Sequence, residues 1–289
     1  MAGRSLHWVL RNSDLRPCVE LLKQAFGMRV LRHEENAEPC AITCNGRYNN
    51  AWSKTMIGYD TEDKGYCLEV TFNYGVYEYT KGTGLTEIAI GVEDPANSLA
   101  RAQALGFKVN GATIEGLDGY NFTVAKKERD EPFLHVCLNV SDVEKAKTFY
   151  IDILGMVDLT DKAASVTTVA FSTTQVALRL TQAAEVRIEE TEGRHAIAMP
   201  EQRVREVYAK IEAAHPELIV HPFRELHEKL GTLVIAIIKD FDGFEICLVS
   251  SETFDKAAKE ACDWKDPDWD HRRSFLDERA PKSKKGTSS

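Results

Sequence analysis

The chain lacks any apolar run long enough to span a bilayer, which argues against a helical membrane protein. It lacks a positive balance as well: 36 Lys and Arg stand against 45 Asp and Glu, a net charge of −9. Nucleic acids and anionic membrane surfaces are met by basic faces, so neither is an expected partner. A disulfide framework is missing too. The 7 cysteines are an odd number at irregular spacings, which fits reduced thiols in the cytosol or the mitochondrial matrix. Cys40 and Cys44 form a C-x3-C pair, but no second pair completes a zinc site, so loop thiols are expected. No signal peptide is visible. Arg4, Arg11 and Arg16 look a little like a presequence, yet the first strand begins near Leu6, so the start reads as mature structure.

What is present is a repeat. With 289 residues, 43% hydrophobic and 28% charged, the chain has the composition of a soluble protein of about two domains. Leu6-His7-Trp8-Val9-Leu10 runs through an amphipathic stretch to Phe26-Gly27-Met28. Leu134-His135-Val136-Cys137-Leu138 runs likewise to Leu154-Gly155-Met156. His7 to His135 and Gly27 to Gly155 are both 128 positions, the mark of a duplicated domain.

Each half divides again. Alternation predicts a strand over Leu6–Leu10 with His7, Val9 and Arg11 on one face. A helix over Asp14–Phe26 follows, ended by Gly27. Strands are predicted over Met28–Arg32, Trp52–Tyr59 and Cys67–Asn73. The pattern restarts at Thr86–Val92, with a helix opened by Asp94-Pro95 and a strand over Tyr120–Ala125. In the second half the strand is Phe133–Val140, and Ser141 to Glu144 reads as a capping box. Strands over Thr167–Phe171 and Gln175–Leu180 follow. A last restart comes at Arg194–Met199, with a helix over Pro200–Ala214 and strands over Thr232–Ile238 and Phe244–Val249. The expected fold is therefore α+β, built from four βαβββ units.

These restarts, the Gly-Met after the first helix of each half, the segment Leu68-Glu69-Val70-Thr71-Phe72-Asn73-Tyr74-Gly75 and the turn Asp240-Phe241-Asp242-Gly243 resemble the vicinal oxygen chelate superfamily. Within it the chain resembles glyoxalase I (lactoylglutathione lyase), over about residues 5–250. The resemblance implies two glyoxalase-type domains, 1–126 and 133–251, with Lys126 to Pro132 as linker. A polar tail, 252–289, follows and is expected to be disordered over about its last ten residues.

In that family paired units form a cup around a divalent metal. The ligands are a His or Gln on the first strand, a Glu before the Asn-aromatic-Gly, a His on the restart strand and a Glu after the Asp-Gly turn. Matched residue by residue, the first half has His7, Glu69, Glu87 and Thr123, and the second His135, Arg179, His195 and Cys247. Neither set is full, and Arg179 would repel a cation. If the first unit pairs with the fourth, one site combines His7, Glu69, His195 and either Cys247 or Glu245. The other then combines Glu87, Thr123, His135 and Arg179. Glu245 and Cys247 lie two apart on a strand, on one side and about 6.6 Å from each other. A carboxylate there suits an open divalent site, and a thiolate favours zinc; zinc, nickel or cobalt is the implied metal.

The implied substrate is the hemithioacetal of methylglyoxal with glutathione, glutathione serving as co-substrate in methylglyoxal detoxification. A metal on its vicinal oxygens acidifies the neighbouring C–H, and a carboxylate moves the proton. Glu69 and Glu245 are the candidate catalytic residues. Arg11 and Asn73 match the positions that hold the glutathione carboxylate, Arg11 lying roughly 13 Å along the strand from His7. With one matched carboxylate, weak turnover is expected. Two other readings stand beside this one. If consecutive units pair, His135, His195 and Glu245 form a 2-His-1-carboxylate set suited to a non-haem iron dioxygenase. Alternatively the cup is catalytically degenerate and binds a small metabolite or a partner protein. A double-length chain can build a paired site internally, so a monomer is expected.

Overall fold

The computed structural model describes residues 3–163 and 165–272. The tail positions expected to be disordered lie outside them. The first unit is β1 (Arg4–Arg11), α1 (Leu15–Phe26), β2 (Arg29–Asn36), β3 (Trp52–Gly58) and β4 (Cys67–Asn73). The second is β5 (Leu85–Val92), α2 (Pro95–Ala104), β6 (Lys108–Asn110), β7 (Thr113–Glu115) and β8 (Asn121–Lys126). The third is β9 (Phe133–Val140), α3 (Val143–Lys147), a π-type turn at Thr148–Ile153, β10 (Val157–Asp158), β11 (Thr167–Ala170) and β12 (Ala177–Gln182). The fourth is β13 (Glu192–Met199), α4 (Glu201–Ala214), β14 (Ile219–Glu228), β15 (Gly231–Lys239) and β16 (Glu245–Ser250), and α5 (Ser251–Ala261) closes the order. The equivalent glycines Gly27 and Gly155 have φ of 72° and 84°, a left-handed conformation that stops each opening helix at little steric cost. Asp142, not Ser141, caps α3: its carboxylate accepts from the Glu144 and Lys145 amides.

The strands form two eight-stranded sheets, in the orders β14-β15-β16-β13-β1-β4-β3-β2 and β10-β11-β12-β9-β5-β8-β7-β6. Each sheet joins one unit from each half. The first unit hydrogen-bonds to the fourth through β1 and β13, and the second to the third through β5 and β9. The halves are thus repeats of sequence, while the hydrogen-bonded bodies mix them. One large apolar core, including Trp8, Leu22, Leu68, Phe122, Phe133, Phe149, Ile197 and Phe244, takes residues from both sheets and the helices packed on them.

The tail opens in ordered structure. α5 is a helix, and it packs Phe254 on the opposite face of the first sheet, against Leu6, Ala196, Ala198, Ile235, Ile237 and Val249. Beyond it, Cys262 and Trp264 pack on Leu31, Met56 and Cys67, and the Asp263 and Trp264 amides both donate to the Leu31 carbonyl of edge strand β2. Apolar residues spaced along a mostly polar segment are enough to anchor it where a matching surface waits.

Candidate functional site

Alternation along β1 sends Trp8 and Leu10 into the core and His7, Val9 and Arg11 to the inner face of the first sheet. β4 runs parallel beside it, with His7 next to Cys67, Val9 next to Glu69 and Arg11 next to Thr71. On the other side His7 faces Ala196 of β13, and Ala196 lies beside Cys247 of β16. First-with-fourth pairing therefore puts His7, Glu69, Arg11, Cys247 and Glu245 on one face. It leaves His135 on the second sheet, so the set His135, His195 and Glu245 does not assemble and the dioxygenase reading falls.

His7 is held between carboxylates. Its Nδ1 is 2.8 Å from Glu62 Oε1, and its Nε2 is 3.4 Å from Glu69 Oε2. Glu62 comes from the loop between β3 and β4, is fully buried and also pairs with Arg32. Burial alone would raise the Glu62 carboxyl, but Arg32 and His7 outweigh it and hold it down at about 2. An ionised carboxylate can only accept, so the His7 proton sits on Nδ1 and Nε2 faces Glu69. Glu69 also accepts from Thr71 Oγ1 at 3.2 Å. A carboxylate that orients a histidine ring in this way is a recurrent support for ligand and catalytic histidines.

His195 does not join this group. β13 pairs with β1 so that Trp8, not His7, faces His195, and a one-residue step in register moves a side chain to the other side of a sheet. The ring lies in the core, 5.6 Å from the Trp8 ring and 6.2 Å from that of Tyr66. Neither ring nitrogen has a hydrogen-bond partner among the described residues. Burial, then the charge of His7, push its pKa down to about 3, so it is neutral at physiological pH. The inner-face residue of β13 is Arg194. Its Nε donates to Glu245 Oε2 at 2.6 Å, and its Nη2 donates to Thr43 Oγ1 at 2.6 Å. Glu245 is thus ion-paired to a buried guanidinium. Cys247 keeps its proton, burial lifting its thiol to about 12.

The residues present do not fit the four-donor metal set of the family. His7 Nε2 and Glu69 meet, but His195 faces away and Arg194 brings a fixed cation to the same face. The first-sheet trio of potential donors close enough to share an ion, among the described residues, is His7, Glu62 and Cys67. Its Glu62 is already neutralised by Arg32, and burial keeps the Cys67 thiol protonated.

A cleft of about 650 Å³ opens at the Arg11 end of this face, lined by Arg11, Thr43, Tyr48, Glu190, Lys239 and Glu245 among others. It stops short of His7 and Glu69, whose side chains are 11% and 8% exposed. Arg11 donates through Nη1 to the Glu190 and Glu192 carbonyls at 2.6 and 3.2 Å, so it also pins the turn before β13. Asn73 is not a cleft residue. It is fully buried, and its Nδ2 donates to the Asn45 carbonyl and Tyr79 Oη while its Oδ1 accepts from Asn45 Nδ2. Both amide hydrogens are spent, one on the segment after β4 and one on the loop between β2 and β3. Cys40 and Cys44 in that loop are disulfide-bonded, which corrects the expectation of free loop thiols; the turn brings their Cα atoms to 5.5 Å, within bridging range.

Sequence reading missed Glu62, Arg32 and Arg194. The first two meet across thirty positions of chain, with no local pattern to announce them. Arg194 carried a signal: Ile197 and Met199 are large apolar residues in phase with His195, which marks the core face, whereas Arg194, Ala196 and Ala198 mark the inner one.

Residues 142–257 match the family model described as glyoxalase domain-containing protein 4-like, C-terminal domain. Glyoxalase 1 of Caenorhabditis briggsae is 30% identical over 260 residues, covering 90% of this chain and 92% of that protein. Glyoxalase domain-containing protein 4 of Rattus norvegicus is 29% identical over 264 residues, covering 89% and 88%. Among solved structures, a mutant of glyoxalase I from Zea mays superposes with a TM-score of 0.75 at 25% identity, over 89% of this chain and 95% of that one. These likenesses run through both sheets and nearly the whole described length, and so the chain belongs to the glyoxalase family of the vicinal oxygen chelate superfamily, in the company of glyoxalase domain-containing protein 4.

Proposed function

We propose that the protein has a glyoxalase-type function, acting on the hemithioacetal that glutathione forms with a small 2-oxoaldehyde such as methylglyoxal. The observation that supports it best is the His7–Glu69 pair, 3.4 Å apart on the inner face of a sheet closed by the first and fourth units. Glu69 would take the proton from the hydroxyl-bearing carbon and return it to the adjacent one, while the hydroxyl proton passes to the neighbouring carbonyl oxygen, leaving a thioester of a 2-hydroxy acid. Thr71, which donates to Glu69 Oε1, would keep the Glu69 carboxylate in place, and His7, fixed by Glu62, would present Nε2 beside it. Arg11 would hold a carboxylate of the glutathione tail in the cleft. No step runs through a metal, because only His7 and Glu69 of the four matched family donors meet. Glu245 is not assigned the second proton transfer, since it is tied to Arg194.

A second reading, a binding cup without turnover, is favoured by α5 and the following segment, which cover much of the same inner face. One experiment separates the two. Turnover of the hemithioacetal should be measurable but slow, and should fall by about 10²–10⁴-fold in Glu69→Gln. Undiminished turnover in Glu69→Gln would move the chemistry elsewhere. Tight binding of an S-substituted glutathione with no turnover under any metal supplement would establish the second reading.

A further inference from the structure

The second sheet carries its own cup, which the function above does not use. Its inner face holds Glu87, Thr123, His135, Cys137 and Arg179. Both oxygens of Glu87 are engaged: Oε2 accepts from Thr123 Oγ1 at 2.6 Å and Oε1 from Cys137 Sγ at 3.4 Å. Arg179 is different. It is exposed, its Nη1 lies 3.2 Å from His135 Nε2, and it has no carboxylate partner among the described residues. Arg194 in the first cup has Glu245; Arg179 has no counterpart to it.

A pocket of about 410 Å³ opens beside Arg179. Its charged lining is Lys126, Arg129 and Arg179 against one carboxylate, Glu128, with His135 at its side. Arg129 is spent structurally: its donors reach the carbonyls of Glu131, Thr173, Phe133 and Leu134. It leaves a fixed positive charge in the wall, its donors being turned to the backbone. A cation site is disfavoured here. Arg179 stands at the nitrogen that His135 would offer to a metal, although Glu87, His135 and Cys137 are close enough to share an ion. Burial and the Arg179 charge outweigh Glu87 and hold the His135 pKa down to about 4, so the ring adds no charge of its own.

We propose that this pocket is an anion site that binds a small molecule through a carboxylate or phosphate group, with the Arg179 guanidinium as its principal ligand. A guanidinium offers paired donors that match both oxyanions, and an unpaired one in a concave pocket is the natural complement of either. The duplication would thus have left one cup for chemistry and turned the other from a cation site toward anions.

Calorimetric titration of the full chain at low ionic strength tests this, with inorganic phosphate and succinate as separate probes. At least one is expected to bind with a dissociation constant below about 1 mM. The stronger of the two identifies the source of the oxyanion. Arg179→Gln, at an exposed position where folding is not at stake, should weaken that binding about 10–100-fold. Arg187→Gln, on the surface away from the pocket, should leave it unchanged. Binding of neither probe, equal binding by Arg179→Gln, or zinc bound at Glu87, His135 and Cys137 in preference to both anions would overturn the proposal.

Discussion

Replacing His195 by leucine separates a core role from a metal role. The ring is 2% exposed, neither nitrogen is hydrogen-bonded among the described residues, and burial holds its pKa down to about 3 against an ordinary 6.5. A group that resists protonation in the folded state makes folding worse as acid is added. The folded protein keeps His195 neutral while the unfolded chain gains a proton below pH 6.5. Its penalty is absent above that value and grows until the pH reaches about 3. Between pH 8 and pH 5 the loss attributable to His195 is roughly 2 kcal/mol. Leucine has nearly the same volume and no buried N–H to leave unpaired, an omission that costs about 1–3 kcal/mol. His195→Leu should therefore be at least as stable as the parent at pH 8. It should also lose roughly 2 kcal/mol less on acidification to pH 5. Urea unfolding at the two pH values reads both numbers, and hemithioacetal turnover should be unchanged. A variant that acidification weakens as much as the parent, or that folds normally but loses turnover, would refute the placement of His195 in the core.

Glu62→Gln should cost roughly 3 kcal/mol at pH 7, because it breaks a buried pair whose carboxyl sits at about 2 against an ordinary 4.5. That stability is present above pH 4.5 and is lost as pH falls through about 2, so the deficit should shrink to roughly 1–2 kcal/mol at pH 3; a deficit independent of pH would contradict it. Arg11→Ala should raise KM for the glutathione adduct more than it lowers kcat, since Arg11 lies in the cleft and not beside Glu69; the reverse pattern in steady-state kinetics would count against the cleft as the tail site. Deleting the chain from Ser251 onward uncovers Leu6, Ala198, Ile235, Ile237 and Val249, so thermal unfolding should move down and dye binding to apolar surface should rise; unchanged melting would mean that α5 contributes nothing to the first sheet.

Local chemistry made much of this protein legible from residues alone. The 128-residue repeat, the alternation in strands such as β1 and β4, the glycines that stop α1 and the π-type turn, and the face shared by His7, Val9 and Arg11 depend on neighbours a few positions apart. The short strands β6, β7 and β10 were not legible, being two or three residues long, and neither was the ten-residue β14, whose polar sequence hides its alternation. Tertiary structure alone decided which units share a sheet, because the β1–β13 ladder joins strands almost two hundred residues apart and no local preference selects it. It decided that His195 belongs to the core, since a single step of register between two strands chooses the face. It also supplied Glu62 and Arg32 to His7, tied Arg194 to Glu245 and left Arg179 without a carboxylate among the described residues. Such pairings are set by which surfaces remain exposed to one another once the apolar faces have packed.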